Sequence, residues 1–184
     1  MSYLEQTKDF KGVADVFMRD PDLYGPLLQF IEAVMTRQSA LTVAEREVIA
    51  SYVSHINGCD FCVGVHHATL KSLKTDENVL GQLTDGPRSS AIDDRLKAVL
   101  TFAEKLTQDP HEVAPADITQ LRSAGWDDQA IEDAINVVSL FAYVNRLVDA
   151  TGVKGSPDYF AYVGDMLATQ GYAPLIKMAA RKAS

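Results

Sequence analysis

Cys59, Cys62 and His66 fall three and four residues apart. On a helix that spacing puts all three on one face, with neighbouring Cβ atoms about 5–6 Å apart. A disulfide needs Cβ atoms about 3.5–4.5 Å apart, so a bond between the two cysteines requires a tightened turn. A helix start can supply that; a helix middle cannot do so cheaply. The unpaired N–H groups and dipole of a helix N-terminus also stabilise a thiolate. His66, one turn beyond Cys62, can take or relay a thiol proton. A thiolate that attacks a peroxide becomes a sulfenic acid, and a second cysteine nearby condenses with it to a disulfide. Two cysteines and a proton handler are the minimum for that cycle.

Glu47 precedes Cys59 by twelve residues. If the helices on either side of Asn57-Gly58 pack side by side, Glu47 reaches His66 or a bridging water and can serve as a proton shuttle. His55, Cys59, Cys62, His66 and His67 are also metal-ligand types. Zinc normally draws two ligand pairs from separate elements, and here there is one cluster with no second pair, so no metal is expected. His67 points about 100° away from His66 around a helix and reads as packing or surface. His55 lies before the break and His111 in a loop. Tyr52 reads as core, and Trp126 as a hydrophobic staple on Ile131.

The elements that must position these residues read as helices joined by short turns, with little strand-like alternation. A helix is expected from about Leu27 to Met35, after the punctuation at Pro21, Asp22 and Gly25-Pro26. Thr42-Val43-Ala44-Glu45 fits a capping box, and Val48, Ile49, Tyr52, Val53 and Ile56 follow at helical spacing. Asn57-Gly58 breaks that helix, and a new one opens at Cys59-Asp60 and runs to about Leu73. Further helices are expected over about Ala91 to Leu106, from Pro115 to about Ser123, and from a cap at Asp127 to about Ala150. The last of these is apolar on most sides around Phe141, which suggests burial partly against another subunit. Gly152 stops it. The tail from Pro157 to Met178 carries one more amphipathic helix and a Gly171-Tyr172-Ala173-Pro174 turn.

The chain has 184 residues, 47% of them hydrophobic and 23% charged, which suits a single globular domain spanning residues 1–184. The net charge of −8 argues against nucleic-acid binding. The N-terminus lacks the apolar stretch of a secretory signal. The longest apolar run, Ala134 to Val144, is well short of the roughly 20 residues a membrane span needs, so no membrane association and a cytoplasmic location are expected. Both cysteines lie in one Cys-x-x-Cys unit, which in a reducing compartment reads as redox-active or metal-binding and not as a structural disulfide.

Glu47, eleven residues, Cys59-x-x-Cys62, three residues, His66: this pattern, within residues 42–73, resembles the core motif of the alkylhydroperoxidase D family, part of the wider carboxymuconolactone decarboxylase-like group. Asn145-Arg146 before Asp149-Ala150 and Gly152 looks like that family's later helix. The stretch from Tyr159 to Leu175 resembles its peroxidase-related subgroup. The resemblance implies an all-α, AhpD-like helical bundle that assembles as a homo-oligomer, a dimer, trimer or hexamer. It also implies thiol-dependent reduction of organic hydroperoxides without a bound cofactor, with an external dithiol or a reductase partner protein returning the electrons. Carried over, Cys62 is the peroxidatic thiol, Cys59 the resolving one, and His66 and Glu47 the proton relay. Helix-terminus reasoning alone favours Cys59 as the nucleophile; the resemblance, with His66 one turn away, favours Cys62. One departure is Phe61, where some members carry a second histidine. Two alternatives stand beside this reading: a decarboxylase-type lyase acting on a lactone-like acid, and a non-enzymatic redox-sensing or metal-binding oligomer.

Overall fold

Many helix starts in this chain are set by side chains that satisfy free N–H groups of the first turn. The structure, a computed structural model, describes residues 3–183. Its α-helices are α1 (Val13–Arg19), α2 (Pro21–Thr36), α3 (Val43–Ile56), α4 (Asp60–Ser72), α5 (Glu77–Gly81), α6 (Asp94–Gln108), α7 (Pro115–Ser123), α8 (Asp128–Thr151), α9 (Pro157–Gln170) and α10 (Ala173–Ala183). No strand occurs among the described residues; the fold is all-α.

Thr42 caps α3 by accepting from the Glu45 N–H at 3.2 Å, and the Glu45 carboxylate accepts in return from the Thr42 N–H at 2.7 Å. Asp127 opens α8 by accepting from Ala130 N–H at 2.8 Å, and Gly152, at φ 68°, closes it. Three boundaries differ from expectation. Asp20 accepts from Leu23 N–H and Pro21 occupies the first helical position, so α2 starts six residues early and runs through Pro26. Pro26 and Asp22, four residues before it, are both exposed, so the carbonyl that Pro26 leaves unpaired lies on the solvent side. Asp93 caps α6 through Leu96 N–H at 2.8 Å, which moves its start three residues past Ala91. The tail holds two helices, because Pro174 sits in the first turn of α10, where its missing N–H costs nothing.

The centre of the fold is α3. Every residue from Arg46 to Ser54 is buried, because α4, α6 and α8 all pack on it. α9 lies along α4, and α10 and α1 lie on α2. The α4–α9 contact is backbone to backbone: a Cβ added at Gly164 would sit 2.6 Å from the Ala68 carbonyl carbon and 2.7 Å from the Thr69 nitrogen. The apolar face around Phe141 on α8 is largely buried within the single chain; of its large apolar residues, Tyr143 is the exposed one.

An enclosed helix has to match each charge it carries. Arg46, wholly buried, does so with all of its donors. Its Nε donates to Leu41 O at 3.0 Å, and Nη1 donates to Val34 O. Nη2 reaches Arg37 O, the Ser39 hydroxyl and, at 2.7 Å, the Asp133 carboxylate on α8. Arg37 Nε caps the other Asp133 oxygen at 2.8 Å. This one side chain fastens the α2–α3 connection to α8. Asp133→Ala strands the Arg46 charge and is expected to cost about 3–5 kcal/mol in urea denaturation. Asp133→Leu combined with Arg46→Met, which removes both charges, is expected to cost less than the sum of the single changes.

Candidate functional site

The α3–α4 break places the two thiols. Asn57 ends α3, and Gly58 takes φ 72°, a left-handed conformation that glycine adopts without penalty. Cys59 then serves as N-cap of α4 in a non-helical conformation, with its own N–H given to Ser54 O at 2.9 Å. That non-helical residue is what lets the pair close up: Cys59 Sγ lies 2.9 Å from Cys62 Sγ, within about an ångström of the bonded distance. Asn145, buried on α8, fixes the break from outside. Its amide donates to the Ser54 hydroxyl at 3.0 Å and accepts from the Asn57 amide at 2.9 Å.

Glu47 lies on the face of α3 turned toward α4. His66 Nδ1 meets its carboxylate at 2.7 Å, and both side chains are at most 3% exposed. With Nδ1–H donated to Glu47, the other ring nitrogen is the one that can accept a proton. The edge of the His66 ring stands against Phe141 on α8, with centroids 4.4 Å apart, so the imidazole is held on both sides.

Cys62 and His66 open onto a common cavity of about 60 Å³, and Cys59 does not line it. Its walls are apolar side chains such as Phe17, Ile31, Phe61, Met166 and Leu175. Phe61, between the cysteines, packs edge-on to Phe160 at 5.4 Å and tilted against Tyr159 at 5.7 Å. Two phenols also border the space. The Tyr159 hydroxyl accepts from Ala14 N–H at 3.5 Å. Tyr172 enters from the turn between α9 and α10, where Gly171 adopts φ 61° and the Tyr172 N–H is given to the Glu32 carboxylate at 2.6 Å.

Cys59 is held far above the ordinary thiol range by donating its S–H to Cys62, then by burial and the adjacent Cys62 charge. Tyr172 is also held well above its ordinary range, by burial first and then by the charges of Glu47, Cys62 and Glu32.

The four residues singled out from the sequence thus form two adjoining pairs, Glu47 with His66 and Cys59 with Cys62, and Cys62 and His66 share the cavity. The bystanders stay apart. Tyr52 is core: burial and the Glu104 carboxylate push its hydroxyl up to about 12. Trp126 gives its indole N–H to Arg95 O at 2.9 Å. His67 is half-buried, and its Nε2 has no hydrogen-bond partner among the described residues. Among the described residues no three His, Cys, Asp or Glu side chains converge to hold a metal ion, and no helix is long and apolar enough to cross a membrane. Sequence reasoning missed two contributors. Asn145 carried a readable signal, an amide on an otherwise apolar helix face. Tyr172 carried none, since only the α9–α10 packing brings it to the cavity.

Comparison with known proteins supports the same grouping. The sequence profile of the carboxymuconolactone decarboxylase family matches residues 21–105, a span containing Glu47, Cys59, Cys62 and His66. The crystal structure of an uncharacterized peroxidase-related protein from Silicibacter sp. TM1040 is similar with a TM-score of 0.76 and 31% identity, over 80% of this chain and 78% of that one. An alkylhydroperoxidase AhpD core structure, an uncharacterized peroxidase-related protein from Ralstonia eutropha JMP134, gives 0.74 and 29%, over 82% and 78%. The uncharacterized protein YdfG of Bacillus subtilis (strain 168) is 25% identical over 121 residues, 66% of this chain and 82% of its own.

Folding raises the affinity of Cys59 and Tyr172 for their protons, so the native state binds more protons than the unfolded chain once pH passes the unfolded pKa values. Their contribution is complete below an unfolded thiol pKa of about 9 and is lost as pH rises beyond it. The urea midpoint of the reduced protein is expected to fall from about pH 9 upward. In Cys59→Ala that fall is expected to start nearer the unfolded tyrosine value of 10.0. An unchanged onset in the variant would remove Cys59 as its cause.

Proposed function

The chain belongs to the carboxymuconolactone decarboxylase family, and from that footing we propose that it is a thiol-dependent peroxidase reducing organic hydroperoxides through a dithiol–disulfide cycle. The observation that carries this reading is the division of the thiols. Cys62 shares an apolar cavity with His66, and Cys59 Sγ waits 2.9 Å behind it.

In the proposed cycle, His66, oriented by Glu47, accepts the Cys62 thiol proton. The thiolate attacks the terminal oxygen of the hydroperoxide, so an S–O bond forms and the O–O bond breaks. The departing alkoxide takes up the proton that His66 carries and leaves as the alcohol. The Cys59 sulfur then attacks the sulfenic sulfur of Cys62. An S–S bond forms, and the hydroxyl departs as water with the proton that Cys59 had kept. The two electrons come from the two thiols. An external dithiol or reductase protein returns them by thiol–disulfide exchange, as a reducing cytoplasm would favour. The assignment of Cys62 as nucleophile and Cys59 as resolving thiol is supported by which sulfur meets the cavity.

The apolar walls suit the hydrocarbon part of an alkyl hydroperoxide. They suit the alternative lyase poorly. An acidic lactone needs a cation for its carboxylate, and no Lys or Arg lines this cavity. Phe61 makes the same point locally, because it adds wall where a second histidine would have extended the relay. Homo-oligomeric assembly belongs to this reading too, as the family resemblance implies.

One equivalent of cumene hydroperoxide is expected to consume two free thiols in the reduced protein. Cys62→Ser is expected to bring turnover to background, and His66→Ala to slow it by roughly 10²–10⁴-fold. Cys59→Ser is expected to give a single oxidation with a sulfenic acid trappable by dimedone. Steady hydroperoxide consumption by Cys62→Ser would overturn the proposal.

A further inference from the structure

The cavity over Cys62 is apolar except for a few groups, and two of them, the phenols of Tyr159 and Tyr172, have no task in the cycle just described. Cys62 and His66 are its reacting pair. Tyr159 is seated at the start of α1: its hydroxyl accepts from Ala14 N–H, and its ring fills the space where a Cβ at Gly12 would lie 2.0 Å from Tyr159 Cζ. That leaves Tyr172.

The placement of Tyr172 is specific. Gly171 takes φ 61° and ψ −149°, a conformation essentially limited to glycine. A Cβ at Gly171 would also come within 2.7 Å of a Glu32 carboxylate oxygen. That same carboxylate grips the Tyr172 N–H at 2.6 Å. The turn is therefore locked onto α2, and the phenol it delivers is 8% exposed and lines the cavity beside Cys62 and His66. No hydrogen bond among the described residues engages its hydroxyl.

We propose that the Tyr172 hydroxyl is a catalytic hydrogen-bond donor to the leaving-group oxygen of the hydroperoxide, stabilising the negative charge that develops there as Cys62 takes the terminal oxygen. The inference rests on the peroxidase reading. It completes that reading at its weakest point, since an alkoxide is a poor leaving group in a space walled by hydrocarbon. A preorganised donor in such a site is worth far more than in water. The bond changes are unaltered: S–O forms, O–O breaks, and the proton that ends on the alcohol is the one Cys62 gave to His66. Tyr172 lends its O–H without losing it, which fits a phenol whose burial and acidic surroundings hold it protonated.

The test is Tyr172→Phe, with the rate of Cys62 oxidation measured against two oxidants. Cumene hydroperoxide releases an alkoxide that needs a donor. Peracetic acid releases acetate, a stable anion that needs little. The variant is expected to lose roughly 10²-fold with cumene hydroperoxide and little with peracetic acid, while iodoacetamide alkylates Cys62 at the wild-type rate. The ratio of the two oxidation rates does not depend on how much of the variant is folded. Equal losses with both oxidants, or no loss with either, would overturn the role of Tyr172 while leaving the peroxidase reading intact. Wild-type protein inert toward both oxidants would instead remove that reading.

Discussion

A helix enclosed on every side can leave no charge unmatched, and α3 carries two in succession. Arg46 and Glu47 point about 100° apart around the helix. Arg46 finds Asp133 on α8 and the carbonyls of the α2–α3 connection, while Glu47 finds His66 on α4. The first match fixes where α3 sits against α8. The second fixes where α4 sits against α3, and so where His66 and Cys62 face. Desolvation of an unpaired charge is costly enough that any slip of α3 along its axis would penalise both ends at once. The geometry of the thiol site is therefore held by the same electrostatic requirement that holds the fold.

Within that frame the dithiol is asymmetric by construction. A bare helix-terminus argument makes the first cysteine of such a pair the more acidic. Here Cys59 is the capping residue and is wholly buried, and its S–H is turned toward Cys62. Donation along that axis places the acceptor sulfur on the cavity side. What the helix terminus supplies is a non-helical residue that brings the sulfurs together.

Much of this was legible in the chain. Thr42 and Glu45 announced the start of α3, Asn57-Gly58 the break, and the three- and four-residue spacing the shared face of Cys59, Cys62 and His66. What escaped was long-range. Pro26 looked like a helix boundary, yet a strong cap at Asp20 and solvent around the freed carbonyl let α2 continue through it. Arg46 gave no sign of its burial, because its partner Asp133 lies 87 residues away. Tyr172 looked like a turn residue. Local pattern reads periodicity and caps; it does not read which distant helix will close over a site.

The closure comes largely from the two ends of the chain. Glu47, Cys59, Cys62 and His66 all lie inside the span shared with the family, residues 21–105. Phe17 precedes that span, and Phe141, Met166, Tyr172 and Leu175 follow it, yet all of them shape the space above the thiol. The dithiol with its His–Glu pair and most of the wall around it thus lie in separate stretches of the chain, with Tyr172 on the wall side. Residues 21–105 alone would therefore carry both sulfurs and leave them without most of their roof.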